Sequence, residues 1–474
     1  MISEVTQWMG RNTVAHDLFK VENAARNLIG RDQRPPGPAV CLSPINMLAF
    51  FEDQLGMLEM LHETYGDEVY MRLGPMQIFA IRDPAMLEEV LLKKSGSFHK
   101  DDFMEVLRQI LGDGLLTSED EQWRKHRRIA APALKRKQIQ TYAEDMVSYT
   151  RESAGHLRDG AVVDVWEEMM ELTLRIVVKT LFNLELPEQV NEIGEAIEEA
   201  MTYFDKEAHS GWALLPRSVP TPARHKFRET LRTLDEIIYD LIMERRKGEA
   251  GDDLLWSLLE ARYEDGEAMS TRQIRDEAIT MFIAGHETTA LATTFAFDQI
   301  ARNPEIAKKL HEELDAVLGD RPATLEDVSK LTYTEAIIKE TMRLYPPAWI
   351  IGRRANEDVQ IGPWQIPEGS QVVMSQWLIH RDERHFEDAL TFKPERWHNT
   401  NLERELPRFA YFPFGGGPRV CIGNHFAMME AILVIAEMAR RWEFQLTDAA
   451  PIALAPMITL RPTGPVLMKV RARG

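Results

Sequence analysis

Phe412-Pro-Phe-Gly-Gly-Gly-Pro-Arg-Val-Cys-Ile-Gly423 is the stretch on which the reading of this chain turns. Gly415, Gly416, Gly417 and Pro418 exclude regular helix or strand just ahead of Cys421. From Asn424 the sequence turns helical, with apolar residues at most positions through Leu433. Cys421 therefore sits at the end of a glycine loop, at or just before a helix N-terminus, where exposed backbone N–H groups favour a thiolate. A lone cysteine is ordinarily a small buried hydrophobe. Zinc does not fit, because the only other cysteine is Cys41 and there is no CxxC pair. A dinucleotide fold does not fit either: no strand-like run leads into the glycines and the spacing is not GxGxxG. Glycines without Cβ atoms let a flat, bulky group approach the backbone, and Arg419 offers a fixed charge to an acidic edge of it. Thiolate, glycine-walled slot and arginine together point to a haem with an axial cysteine.

The bulk properties set the frame. For 474 residues, length alone allows about three domains. The formal charge of −19 argues against nucleic acid as a partner. Two cysteines make no disulfide framework, which points to a reduced, cytoplasmic setting. No run of 18 apolar residues offers a membrane span, and residues 1–30 lack a secretory core.

Along the chain, residues 1–30 are a polar, weakly amphipathic lead, closed by the stiff Arg34-Pro-Pro-Gly-Pro38. Residues 46–65 read as a helix, 68–73 and 76–81 as strands joined at Gly74-Pro75, and 84–94 as helical again. Trp123 and Arg127 share one face of a basic helix, Trp123-Arg-Lys-His-Arg-Arg128. Such a helix is ordinarily a solvated face. Residues 138–184, 190–207 and 224–246 read as helices, and the apolar, proline-broken 211–222 as either a lid or a packed connection. A long helix is expected from Thr271 to Arg302. At its centre stands Ala284-Gly-His-Glu-Thr-Thr289, whose glycine and β-branched residues are poor helix formers. Thr288 can bond back to the Ala284 carbonyl and open the ladder there, so Glu287 and Thr288 read as an acid and an alcohol in a disturbed turn. Short strands are expected at 359–361, 364–366 and 371–374.

The quoted stretch resembles, position by position, the haem-binding signature of the cytochrome P-450 superfamily, here of the soluble, bacterial type. Phe414, Gly417, Arg419, Cys421 and Gly423 occupy its five fixed positions. Ala284-Gly-His-Glu-Thr-Thr289 is similar to the acid–alcohol motif of that family, and Glu340-Thr-Met-Arg343 to its ExxR motif. ExxR spacing alone is uninformative, since Glu121/Arg124 and Glu437/Arg440 share it; Pro394-Glu-Arg-Trp397 downstream selects Glu340. The resemblance implies a mainly α fold with small β-sheets, a single cytochrome P-450 domain over residues 35–474 after a lead of residues 1–34. Haem b (iron protoporphyrin IX) would lie between the long central helix and the cysteine loop. It implies Cys421 as iron ligand and a buried structural triad of Glu340, Arg343 and Arg396. Trp123, Arg127 and Arg419 would bind the propionates, with Arg353 as a fourth contact and Arg354 as its alternative.

The implied reaction is monooxygenation of a lipophilic small molecule with O2, with Glu287 and Thr288 delivering protons. Phe103, Met104 and Leu107 fall where the family lines its substrate pocket, as do Ala284 on the long helix, Ala348, Ile350 and Ile351 after the ExxR helix, and Met457 and Ile458 near the end. The chain ends soon after the cysteine-loop helix, so electrons from NAD(P)H are expected through a separate acidic ferredoxin or flavodoxin-like donor with its reductase. A monomer is expected. A peroxide-driven haem peroxygenase would be expected to lack the acid–alcohol pair, and a haem sensor would have no need of it.

Overall fold

Ser270 and Gln273 cap one another: Ser270 Oγ accepts the Gln273 N–H at 3.2 Å, and the Gln273 side chain accepts the Ser270 N–H at 2.9 Å. From this box, helix Thr271–Arg302 runs 32 residues, about 48 Å on helical geometry. It is buried along most of its length, with charged and polar residues such as Arg275, Asp276, Glu277 and Glu287 among the buried ones. The computed structural model describes residues 34–38, 53–73, 76–183, 187–208, 221–248, 250–251, 253–263 and 266–473. The lead segment to residue 33, Cys41, the Gly74-Pro75 turn and residues 211–220 of the proline-broken loop lie outside them.

The fold is mainly helical with small sheets, and the chain divides into two compact units. The first comprises residues 1–105, 348–391 and 403–421. Its sheet has five strands in the order Glu68–Leu73, Met76–Ile81, Gln371–Met374, Ile351–Ala355, Phe98–His99. Glu68–Leu73 and Met76–Ile81 pair antiparallel, with Tyr70 opposite Phe79, while Met76–Ile81 runs parallel to Gln371–Met374. Val359–Ile361 and Trp364–Ile366 make a separate ribbon that turns at Gly362, where φ is +51°. Phe79, Leu87, Leu91, Val372, Ile379 and Phe412 belong to one buried cluster, so this unit's core reaches the start of the cysteine loop.

The second unit comprises residues 106–347, 392–402 and 422–474. Helix Val165–Phe182 packs along the long helix, with Phe182 stacked on Phe282 at 4.1 Å between ring centroids. The helix expected over 138–184 is broken. Ala143–His156 ends, Gly160 turns with φ +80°, and Val162–Asp164 becomes a strand paired with Leu467–Ala472, which in turn pairs with Trp442–Leu446. Asp164 fixes the break: its carboxylate accepts the Trp166 N–H that opens the next helix and the Val466 N–H of the distant partner segment, both at 3.0 Å. At Ala284 the expected back-bond is present, with Thr288 Oγ1 donating to the Ala284 carbonyl at 2.9 Å. The long helix runs through this turn uninterrupted, and a Cβ on Gly285 would come within 3.0 Å of a Val177 methyl on the neighbouring helix.

Candidate active site

The cysteine loop belongs to the first unit. A 3-10 turn, Gly417–Arg419, leads to Cys421, whose backbone N–H donates to the Phe414 carbonyl at 2.9 Å. The helix that follows begins at Asn424, three residues past the sulfur, and the Cys421 side chain is exposed. The glycine slot is narrower than the sequence implies. A Cβ on Gly416 would strike the Phe409 ring, and one on Gly417, at φ +65°, would strike the Leu91 carbonyl. Both glycines therefore serve packing within the protein. Gly415, at φ +70°, alone of the three faces open space. An accessible soft thiol, a glycine whose Cβ position is open, and half-buried Phe414 and Arg419 nearby in sequence fit a haem with an axial cysteine. In the same unit Arg353 is buried and donates to the Gly352 carbonyl at 2.7 Å, whereas Arg354 is exposed and pairs with Asp102 at 3.3 Å.

The acid–alcohol helix belongs to the second unit. Thr288 Oγ1 donates to the Ala284 carbonyl at 2.9 Å. Glu287, one residue earlier, is held by other groups. It is buried and ion-paired to Arg461, Nε to Oε1 at 2.6 Å, and accepts the Thr459 hydroxyl on the same oxygen. Arg461 also reaches Glu198 at 3.2 Å. Burial pushes the Glu287 carboxyl up, but the Arg461 charge and the two donors outweigh it and hold it below its ordinary value. Behind this turn, Glu430 of helix Asn424–Arg441 is fully buried, and that desolvation drives its carboxyl well above the ordinary value, against a weaker pull from the Thr289 hydroxyl.

Glu340, Arg343 and Arg396 come together in the second unit, with Glu340 and Arg343 wholly buried. Arg343 grips the carboxylate bidentately, Nε and Nη2 both at 2.8 Å, and Arg396 Nε adds a third bond at 3.2 Å. The Lys393 N–H at 2.9 Å and the Trp397 indole at 2.8 Å complete its shell. Five donors on one carboxylate meet the condition for burying it. On helix Asp120–Ala130, the Arg127 guanidinium lies 5.9 Å from the Trp123 ring centroid. His126, between them in sequence, is buried with its Nδ1 2.6 Å from Glu277 of the long helix, which fixes how the Trp123–Arg127 face is presented.

Among the apolar candidates, Phe103 and Ala284 are exposed and Leu107 is buried, while Met104, Ala348, Ile350, Ile351, Met457 and Ile458 are half-buried. Sequence reasoning missed Arg461, Thr459 and Glu430. Arg461 sits in a short strand, Leu460–Pro462, with no local pattern to mark it. Glu430 carried a weak signal: an acid inside the apolar run Met428-Met-Glu-Ala-Ile432.

Loop, helix and triad are each of the kind a haem-thiolate oxygenase carries. The family described as Cytochrome P450 matches residues 35–470, and the chain belongs to that family. Pentalenene oxygenase of Streptomyces avermitilis is 35% identical, covering 83% of this chain and 88% of that protein. Cyclooctatin synthase of Streptomyces melanosporofaciens is 34% identical, over 85% and 88%. Cyclooctat-9-en-7-ol 5-monooxygenase of the same organism is 31% identical, over 81% and 83%. This chain is accordingly a haem-thiolate monooxygenase that uses O2 to oxygenate a lipophilic small molecule and draws electrons from a redox partner. These relatives do not favour the peroxide-driven alternative. No helix among the described residues is long and apolar enough to cross a membrane.

Proposed function

We propose that this enzyme oxygenates a cyclic terpenoid, with Cys421 as the iron ligand and residues 35–474 as one catalytic domain behind a lead of residues 1–34. The substrate reading rests on relatives that oxidise pentalenene and cyclooctat-9-en-7-ol. The exposed thiol of Cys421, on a loop held by its own backbone bond to Phe414, carries the ligand assignment. When bound, haem would supply the oxidising chemistry, with the Cys421 thiolate as its protein ligand. Trp123, Arg127 and Arg419 would hold its propionates, and Arg353 rather than Arg354 would be the fourth contact. Burial of Arg353 supports that choice, as does the engagement of Arg354 with Asp102.

Protons pass through Thr288 and Glu287. Thr288 already uses its hydroxyl proton on the Ala284 carbonyl, so giving it to a bound ligand breaks that bond. Glu287 must loosen from Arg461 and Thr459 before it can take a proton from solvent. Electrons originate with NAD(P)H and arrive through an acidic ferredoxin or flavodoxin-like protein in the cytoplasm, where this chain works as a monomer. Arg124, Lys135 and Lys137, all exposed, form the patch that receives the donor.

The test is the reduced carbon monoxide complex. The unaltered protein is expected to show the strongly red-shifted Soret band of a thiolate-ligated haem. Cys421→Ala abolishes it and Cys41→Ala does not. A shifted band that survives in Cys421→Ala would refute the ligand assignment. Product analysis with pentalenene and cyclooctat-9-en-7-ol tests the substrate class.

A further inference from the structure

Phe412, the first residue of the cysteine loop, donates its backbone N–H to Nε2 of His380 at 2.9 Å. His380 is wholly buried directly after the short helix Gln376–Ile379, in the same unit as the loop. Its ring lies against Tyr411, with centroids 5.1 Å apart, and edge-on to Phe412 at 5.3 Å. The contact continues toward the sulfur. The Phe412 carbonyl accepts the Gly415 N–H at 2.9 Å, and the Phe414 carbonyl accepts the Cys421 N–H at 2.9 Å. His380 is thus a side-chain anchor at one end of a backbone hydrogen-bond series whose other end is the thiol residue.

The direction of the first bond decides the chemistry. An N–H can donate to Nε2 only if that nitrogen is unprotonated, so the imidazole is neutral with its proton on Nδ1. A carboxylate could accept the same N–H, but it would place a buried negative charge beside a loop that must also carry a thiolate, and like charges oppose ionisation. A neutral acceptor holds the loop without that opposition. We propose that His380 is a positioning residue for the thiolate: it fixes the register of the cysteine loop through the Phe412 N–H and so the fraction of haem bound through Cys421. This rests on Cys421 being the ligand.

The test compares His380→Leu, which keeps apolar bulk and removes the acceptor, with His380→Gln, whose side-chain oxygen can take the place of Nε2. In holoenzyme, His380→Leu is expected to shift much of the carbon monoxide complex to the unshifted Soret position. It should also speed haem transfer to an acceptor apoglobin roughly tenfold, the scale of one lost buried hydrogen bond. His380→Gln is expected to restore both to within about twofold. Wild-type behaviour in His380→Leu overturns the proposal, and so does His380→Gln behaving like His380→Leu. Amide exchange in the unaltered holoenzyme gives a second readout that does not depend on the variants folding. The Phe412, Gly415 and Cys421 amides are expected to open together, and a Phe412 amide that exchanges well ahead of the other two overturns the anchor. If the unaltered protein lacks the shifted band, the Cys421 assignment is what fails, and the exchange result still judges His380.

Discussion

At Glu287 the competing effects can be ranked. Desolvation opposes its charge, yet Arg461 and Thr459 hold it ionised below its ordinary value. Stabilisation from a depressed carboxyl is fully present above the unfolded-state pKa and is lost as pH falls through the folded one. Glu287→Gln should therefore flatten the acid limb of a stability-against-pH profile followed by urea unfolding. Arg461→Met leaves a buried carboxylate without its cation and should cost about 3–5 kcal/mol, while the double variant recovers much of that loss. Glu430 has the opposite sign. Burial raises its pKa, so its contribution is full below the unfolded value and is lost as pH rises through the folded one. Glu430→Gln should gain stability on raising the pH relative to the parent, read as melting temperature across pH. Thr288→Ala removes the hydroxyl that reaches Ala284. It should keep haem and substrate binding but divert electrons to hydrogen peroxide, measured as product formed per NAD(P)H; unchanged coupling would take Thr288 out of proton delivery.

The cysteine loop and its support behave as elements. Gly415 and Gly417 both have positive φ, so an alanine at either costs roughly 1–2 kcal/mol of backbone strain. Only Gly417 would also drive a Cβ into the Leu91 carbonyl, a backbone atom that cannot rotate away. Gly417→Ala should therefore lose far more of the shifted Soret band than Gly415→Ala, and equal losses would mean that the Leu91 contact is not what selects glycine. Around Glu340, five donors hold one carboxylate, two of them from wholly buried Arg343. Glu340→Ala should destabilise the fold by about 3–5 kcal/mol, seen in chemical denaturation, because it leaves buried guanidinium charge uncompensated.

Over the whole molecule, a formal charge of −19 coexists with a run of exposed cations on and after helix Asp120–Ala130. Lys125 is a poor probe of that patch, because it is half-buried and pairs with Glu121 at 3.1 Å. Reversing exposed Arg124, Lys135 and Lys137 to Glu should slow reduction by an acidic donor and flatten its salt dependence, with substrate affinity kept. Steering of this kind acts over about 8 Å at physiological salt, so the effect should fade as salt is raised. Stopped-flow reduction at several ionic strengths measures it, and an unchanged rate and slope would place the docking face elsewhere.

Much of the fold was legible in local pattern. The long helix runs from Thr271 to Arg302, and the strands at 68–73, 76–81, 359–361, 364–366 and 371–374 have the bounds their residues imply. Propensity, periodicity and turn residues act between near neighbours, so one sequence carries them. The family resemblance also picked out Glu340, Arg343 and Arg396, which meet in the structure. Tertiary structure decided what depends on distant segments. Val162–Asp164 is a strand because Leu467–Ala472 offers its edge, about 300 residues later. Gly416 and Gly417 are glycines because Phe409 and Leu91 come close. Glu287 meets Arg461 across 174 residues, and Phe412 meets His380 across 32. A close approach or a buried charge is selected by the atom that arrives from elsewhere in the chain, and only the folded molecule specifies which atom that is.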